Sequence, residues 1–278
     1  EVRYVYPSAC AREPYPTYNT DYTPRLNVDG RGPDYQFEGV DKTIPLGSIP
    51  QVKHTYAYLD SNYGIINEHG LMLGECTDSS DRFDYIKPGE GTGIFYSSEL
   101  GRVALERCRT AKEAIALMGD LIDKYGLWGT AETLLVADKD EGWVIEMEPN
   151  PSGKGGFWVA QKVPDGEFFI AANQFRIRSL DPNNKDQIFH QSMIDELKKL
   201  GWAVFDKEGH LDWLESIRSV ERFHPYSCLR RVWRGLDMAA PSLKLNPWPE
   251  SGNTKEYPFS VKPDQKMTLE DLMSIHRD

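Results

Sequence analysis

From Trp143 to Glu148 the side chains alternate one by one, with Trp143, Ile145 and Met147 on one side and Glu146 and Glu148 on the other. A period of two belongs to an extended strand, so this stretch fixes a strand with two chemically different faces. Its neighbours complete a meander. Thr133 to Ala137 reads as a buried strand, Asp138 to Gly142 as a turn, Asn150 to Gly156 as another, and Phe157 to Val163 and Phe168 to Ala172 as strands around a tight turn at Pro164-Asp165-Gly166. Upstream, His54 to Leu59 and Tyr63 to Ile66 read as short strands, and Asn67 to Gly70 as a turn before Leu71-Met72-Leu73.

The period changes at Thr110. Thr110 and Glu113 have the spacing of a capping box, and Ala114, Ile115, Met118, Leu121, Ile122 and Tyr125 recur at helical intervals before the stop signal of Gly126. Gln187 to Leu200 and Val220 to Ala239 also read as helices, whereas Pro241 to Pro263 reads as loop. Strand blocks segregated from helix blocks predict an α+β fold rather than alternating βαβ units. Residues 1–52 carry seven prolines and the turn signals Asp29-Gly30 and Gly32-Pro33, so they read as loops wrapping a scaffold built elsewhere. The expected organisation is one domain over 1–278: wrapping loops to 52, a strand-rich part with one helix over 53–178, and helices and C-terminal loops over 179–278.

Composition narrows the function. The net charge is −11 and no Lys/Arg run offsets it, which argues against nucleic acid as a partner. No apolar run is long enough to span a bilayer as a helix, so no membrane span is expected. The chain opens on Glu1 with no signal-like segment, and no Asn-x-Ser/Thr acceptor occurs, which leaves the compartment unassigned.

Most polar motifs have plain readings. Ser152 to Gly156 has a phosphate-loop composition but not its spacing, and a hairpin loop suffices. Asp78, Asp81 and Asp84, and Asp138 with Asp140, lack the calcium-loop pattern and read as solvated acidic loops. The six histidines show no helical zinc spacing, and Cys10, Cys76, Cys108 and Cys228 form no C-x-x-C pair; neither a metal nor a cofactor is indicated. Free cysteines usually pack in the core. Asn67 and Asn173 each follow an apolar stretch, where a side-chain amide either forms a turn or offers its N–H to an oxyanion. Arg231 and Arg234 are three apart on one helical face, suited to ion pairs.

Taken in order, several segments resemble the dipeptidase A family of cysteine N-terminal-nucleophile hydrolases, to which secernins are related. They include Val2 to Pro7, Tyr63-Gly64-Ile65-Ile66-Asn67-Glu68-His69-Gly70, Asp138 to Glu148, Ala171-Ala172-Asn173-Gln174-Phe175-Arg176-Ile177, Arg230 to Arg234, Ala240 to Lys244 and Tyr257 to Val261. The resemblance implies a four-layer αββα fold, incomplete here at both ends, and hydrolysis of a dipeptide or other small amide by an N-terminal Cys. It implies that Asn173 is an active-site amide, Arg231 a site-facing guanidinium, and Asn67 a signature residue in the catalytic set. Thr77 falls near a further oxyanion position without the expected Asn, and Thr77 and Glu75 are expected at the substrate. The family's opening Cys segment has no counterpart, and Cys10 sits in a later loop, so the nucleophile is expected outside this chain, of which this would be a central portion. The expected partners are the substrate, the missing parts of the chain, and a second copy in a homo-oligomer. The alternatives are an inactive homologue with a structural or interaction role, and a binding module outside the family.

Overall fold

The computed structural model describes residues 2–8, 14–20, 39, 42–82, 85–217 and 226–278. Cys10, Asp84, the two turn signals at 29–33 and residues 220–225 lie outside them. The chain divides into two compact units: Glu1–Glu75 with Tyr85–Trp158, and Cys76–Asp84 with Val159–Asp278. The architecture is α+β, with a large antiparallel sheet and, among the described residues, six α-helices.

The first unit carries most of the sheet. Its strands are β1 (Arg3–Val5), β4 (Tyr58–Asp60), β5 (Gly64–Asn67), β6 (Met72–Thr77), β7 (Glu132–Ala137), β8 (Gly142–Pro149) and β9 (Gly156–Lys162), neighbours in that order. A separate hairpin joins β2 (Tyr15–Tyr18) to β3 (Pro45–Ile49). The expected loop character of 1–52 is therefore corrected: three short strands lie there, two of them including a proline, Pro16 in β2 and Pro45 at the start of β3. Proline removes only one backbone donor, which a short or edge strand tolerates. In the β7–β8 ladder Thr133 faces Glu146 and Leu134 faces Ile145, which puts Trp143, Ile145 and Met147 on one face. The acidic face is not solvated: Glu146 and Glu148 are fully buried.

Two helices pack on this sheet, α1 (Ser97–Arg107) and α2 (Ala111–Tyr125). The capping box at α2 is formed as the spacing predicts, with the Thr110 side chain accepting from the Glu113 N–H and Glu113 reaching back to Thr110 N–H. Gly126 ends the helix at φ 73°, a conformation costly for a side chain. Gly119 admits the Trp158 ring so closely that a Cβ would lie 2.2 Å from it, and the same indole donates to Asp123 at 2.9 Å. Helix α1 shows no clean stripe in sequence because its buried face is partly polar. Its centre is Arg102, which bonds Asp60 at 3.0 Å, Glu99 at 2.7 Å and the carbonyls of Ser61 and Asn62. Burial pulls this guanidinium down in pKa, but Glu99 and Asp60 outweigh it and hold it firmly charged.

The second unit holds the end of β9, paired with β11 (Gln187–Ile188), and a small ladder of β10 (Ser179–Leu180) with β12 (Leu211–Asp212). Its helices are α3 (Gln191–Lys199), α4 (Trp213–Ile217), α5 (Ser227–Ala239) and α6 (Leu269–Ile275). Two expectations are corrected here. Gln187 and Ile188 belong to a strand, because Gln187 bonds Gln161 and the Ser179 carbonyl across the sheet. Phe168 to Ala172 is not a strand: only Phe168 bridges, to Val261. Phe168 and Ile170 instead pack on the apolar face of α5 made by Leu229, Val232 and Leu236. Packing has overridden β-propensity. Gly235 permits this, since a Cβ there would meet Ile170 at 2.4 Å.

Replacing Arg102 by Met should destabilise the chain by about 3–5 kcal/mol, because Asp60 and Glu99 would stay buried without their cation. Denaturant unfolding checks this, and a loss under about 1 kcal/mol would show that the two carboxylates find other relief.

Candidate functional site

The segment Ala171 to Ile177 is irregular but firmly held. Ala172 joins the α5 core, Phe175 stacks on Trp213 at 5.6 Å, and the Phe175 carbonyl accepts from the Thr254 hydroxyl at 2.7 Å. Arg176 donates to the carbonyls of Pro258 and Phe259. Ala172, Phe175 and Arg176 are thus pinned, and Asn173, in a bend between the first two, is half-buried.

Asn173 is clamped from two directions. Its Nδ2 donates to the Thr77 carbonyl at 2.5 Å, and its Oδ1 accepts from Arg231 Nη2 at 2.8 Å. One amide hydrogen of Asn173 has no partner among the described residues. Arg231 is itself oriented along α5, donating from Nε to the Ser227 carbonyl at 3.1 Å and from Nη2 to Cys228 Sγ at 3.6 Å. Helix α5 starts at Tyr226 with φ 74°, a conformation a bulky residue rarely adopts and one that costs of order 1–3 kcal/mol. The Tyr226 ring lies edge-on to Trp248, and the Arg230 guanidinium stands 4.4 Å from both Trp233 and Trp248. Arg234, on the same face as Arg231, is spent on Asp278 at 2.8 Å and 2.9 Å.

Three of the five expected residues, Asn173, Arg231 and Thr77, therefore meet within one unit. Thr77 takes part through its backbone carbonyl, which a reading of side-chain types does not anticipate. Ser227 and Cys228 were also missed; their only signal is the three- and four-residue spacing to Arg231 on a helix. The other two expected residues belong to the first unit. Glu75 is half-buried, and its charge helps keep the Tyr63 phenol protonated, after burial and Glu132.

Asn67 spends its whole amide on backbone. Nδ2 donates to the carbonyls of Leu105 at 2.9 Å and Cys108 at 2.8 Å, and Oδ1 accepts from the N–H groups of His69 and Leu71 at 3.0 Å and 3.1 Å. Both amide hydrogens and both lone pairs are in use, so this side chain ties the β5 turn to the end of α1. Cys108 and Cys228 are buried, and burial lifts the Cys108 thiol to about 12, far from a thiolate at neutral pH. Asp138 accepts from Ala111, Asp140 and Glu141 N–H groups and so closes its own turn onto α2. Among the described residues no helix is long and apolar enough to cross a membrane.

An asparagine held between a guanidinium and the carbonyl at the end of β6 is a donor fixed in place. Comparison with known proteins gives this arrangement its context. Residues 34–278 match the model of peptidase family C69, and the chain belongs to that family. It is 28% identical over 220 residues to a probable dipeptidase of Latilactobacillus sakei, covering 76% of this chain and 42% of that protein. It is 23% identical over 245 residues to a probable dipeptidase B of Streptococcus pyogenes serotype M3, covering 82% and 45%. A probable dipeptidase of Salmonella dublin is 31% identical over 133 residues, covering 47% and 29%. The chain thus spans less than half the length of these curated relatives.

Changing Asn67 to Ala removes four backbone partners at a buried point and should cost roughly 2–3 kcal/mol in denaturant unfolding. Amide exchange at His69 and Leu71 should quicken in step. Unchanged exchange there would remove the clamp from the account.

Proposed function

We propose that this chain is part of a cysteine-type dipeptidase with a four-layer αββα fold, and that Asn173 donates to the oxyanion. The observation that carries the reading is the clamp on Asn173: Arg231 on its oxygen, the Thr77 carbonyl on one hydrogen, and the second hydrogen without a partner. A donor oriented in advance costs no reorganisation when negative charge develops on the substrate oxygen. The family and the names of its relatives support peptide hydrolysis as the reaction.

In the proposed sequence an N-terminal Cys, contributed by a segment outside this chain, attacks the amide carbonyl as its thiolate. Its own α-amine takes the thiol proton and passes it to the leaving amine. The tetrahedral oxyanion is held by the Asn173 N–H, the C–N bond breaks, and water then hydrolyses the thioester to free the Cys. Arg231 acts through Asn173 by fixing its amide. Substrate contact is proposed for Thr77 and for Glu75, two residues before it on β6. Asn67 has a holding role.

In the full-length protein, Asn173→Ala should lower dipeptide turnover by ~10²–10³ with the fold intact. Arg231→Met should lower turnover in the same direction and by less, because it acts through Asn173. The 278-residue chain alone should not turn over dipeptides. Turnover by the full-length protein that is unchanged within a few-fold in Asn173→Ala removes this residue from the site. A full-length protein inactive toward every dipeptide, with a mature first residue other than Cys, Ser or Thr, supports the reading of an inactive homologue.

A further inference from the structure

The first unit contains a cavity of about 460 Å³, within the range of small-ligand sites, lined by Tyr4, Tyr6, Tyr15, Tyr18, Tyr58 and Glu106 together with Val5, Pro16 and Arg102. None of Asn173, Arg231 or Thr77 lines it. Five aromatic rings supply negative π-faces, which attract cations.

Two charged groups decide what kind of ligand fits. Arg102 has no donor to offer: its five N–H groups go to Asp60, Ser98, Glu99 and the carbonyls of Ser61 and Asn62. An anion entering the cavity would find a cation already neutralised. Glu106 is in the opposite state. Its Oε2 is out of solvent and has no donor among the described residues. The neighbouring Arg107 is turned to Gln51 at 3.1 Å and lies over the Tyr15 ring at 5.8 Å. Three carboxylates, Asp60, Glu99 and Glu106, thus stand against the two guanidinium groups Arg102 and Arg107. The Tyr15 hydroxyl is committed to Glu99 at 2.9 Å. Among the described residues, carboxylates outnumber guanidinium groups by one around this end of α1, and Glu106 Oε2 is the carboxylate oxygen at the cavity without a donor.

We propose that this tyrosine-lined cavity is a binding site for a primary ammonium group on a compact apolar body, with the Glu106 carboxylate accepting from the ammonium and the tyrosine rings enclosing it. The proposal uses none of Asn173, Arg231 and Thr77. A primary rather than quaternary ammonium is specified because Glu106 Oε2 has no N–H donor among the described residues, and a quaternary ion cannot supply one. Burial raises the Glu106 carboxyl to about 7, against the lowering pull of Arg107 and Gln51 and with Glu99 and Asp60 adding to the rise. Tyr15 and Tyr58 are likewise raised, by burial first, so they stay protonated. The ammonium stays charged through neutrality, so binding strengthens as pH rises through the Glu106 pKa and fades below it.

The test is calorimetric titration of the 278-residue chain with tyramine, with its carboxylate counterpart 3-(4-hydroxyphenyl)propionate, and with tetramethylammonium. Tyramine should bind saturably near pH 8 and about tenfold more weakly near pH 5.5, and neither comparison compound should match it. Glu106→Gln should weaken tyramine about tenfold near pH 8 and flatten the pH dependence. Tyr6→Ala, at a side chain mostly in solvent, should weaken binding several-fold with an unchanged far-UV spectrum. The absence of saturable binding by the native chain overturns the proposal. So does a well-folded Glu106→Gln chain that binds as tightly and with the same pH dependence, or equal binding of the carboxylate or tetramethylammonium.

Discussion

The first unit depends on one buried cation. Arg102 is almost wholly removed from solvent, and the desolvation of such a group is affordable only with charges of opposite sign at hydrogen-bonding distance. Asp60 at the end of β4 and Glu99 one helical turn before Arg102 supply them, while Ser61 and Asn62 fill the rest of the guanidinium fork. The sheet corner at β4–β5 and helix α1 are thereby held by the same five N–H groups. Nearby Glu106 lines the tyrosine cavity, and its Oε2 has no donor among the described residues.

Elements set by local chemistry were legible in the amino-acid pattern. Helix α2 was readable because Thr110, Glu113 and Gly126 each perform a backbone task within a few residues of where they stand. The β7–β8 hairpin was readable from alternation and the turn between. Where local preference and distant packing competed, the pattern failed. Phe168 and Ile170 have the composition of a strand, but α5 offers them an apolar face and a gap at Gly235. Gln187 opens what looks like a helix and instead bonds Gln161 across a ladder. The burial of Glu146 and Glu148 was equally unreadable, since a period of two gives the faces of a strand and not what covers them.

The same division runs through the candidate site. Asn173 and Arg231 stand 58 positions apart, and Asn173 and the Thr77 carbonyl 96 apart. No spacing rule reaches across such distances, so family resemblance pointed to the two side chains and only the fold joined them. Asn67 shows the converse. Its amide type and place at a strand end suit an oxyanion donor as well as Asn173 does, yet four backbone bonds consume it. An amide is available for chemistry only if something else has been left to do the holding.

That criterion explains why a guanidinium beside Asn173 matters to the proposed reaction. A carboxamide can rotate by half a turn with little change in shape, exchanging its acceptor oxygen for its donor nitrogen. Presented oxygen first, Asn173 would repel an oxyanion; presented nitrogen first, it would stabilise one. Arg231 can only donate and the Thr77 carbonyl can only accept, so together they permit a single orientation of the amide. Neither partner needs to touch the substrate for this. The strained left-handed entry at Tyr226 and the aromatic packing of Arg230 on Trp233 and Trp248 fix the start of α5, which places Arg231 relative to the Ala171–Ile177 segment. The polarity of one side chain thus traces back to how a helix begins.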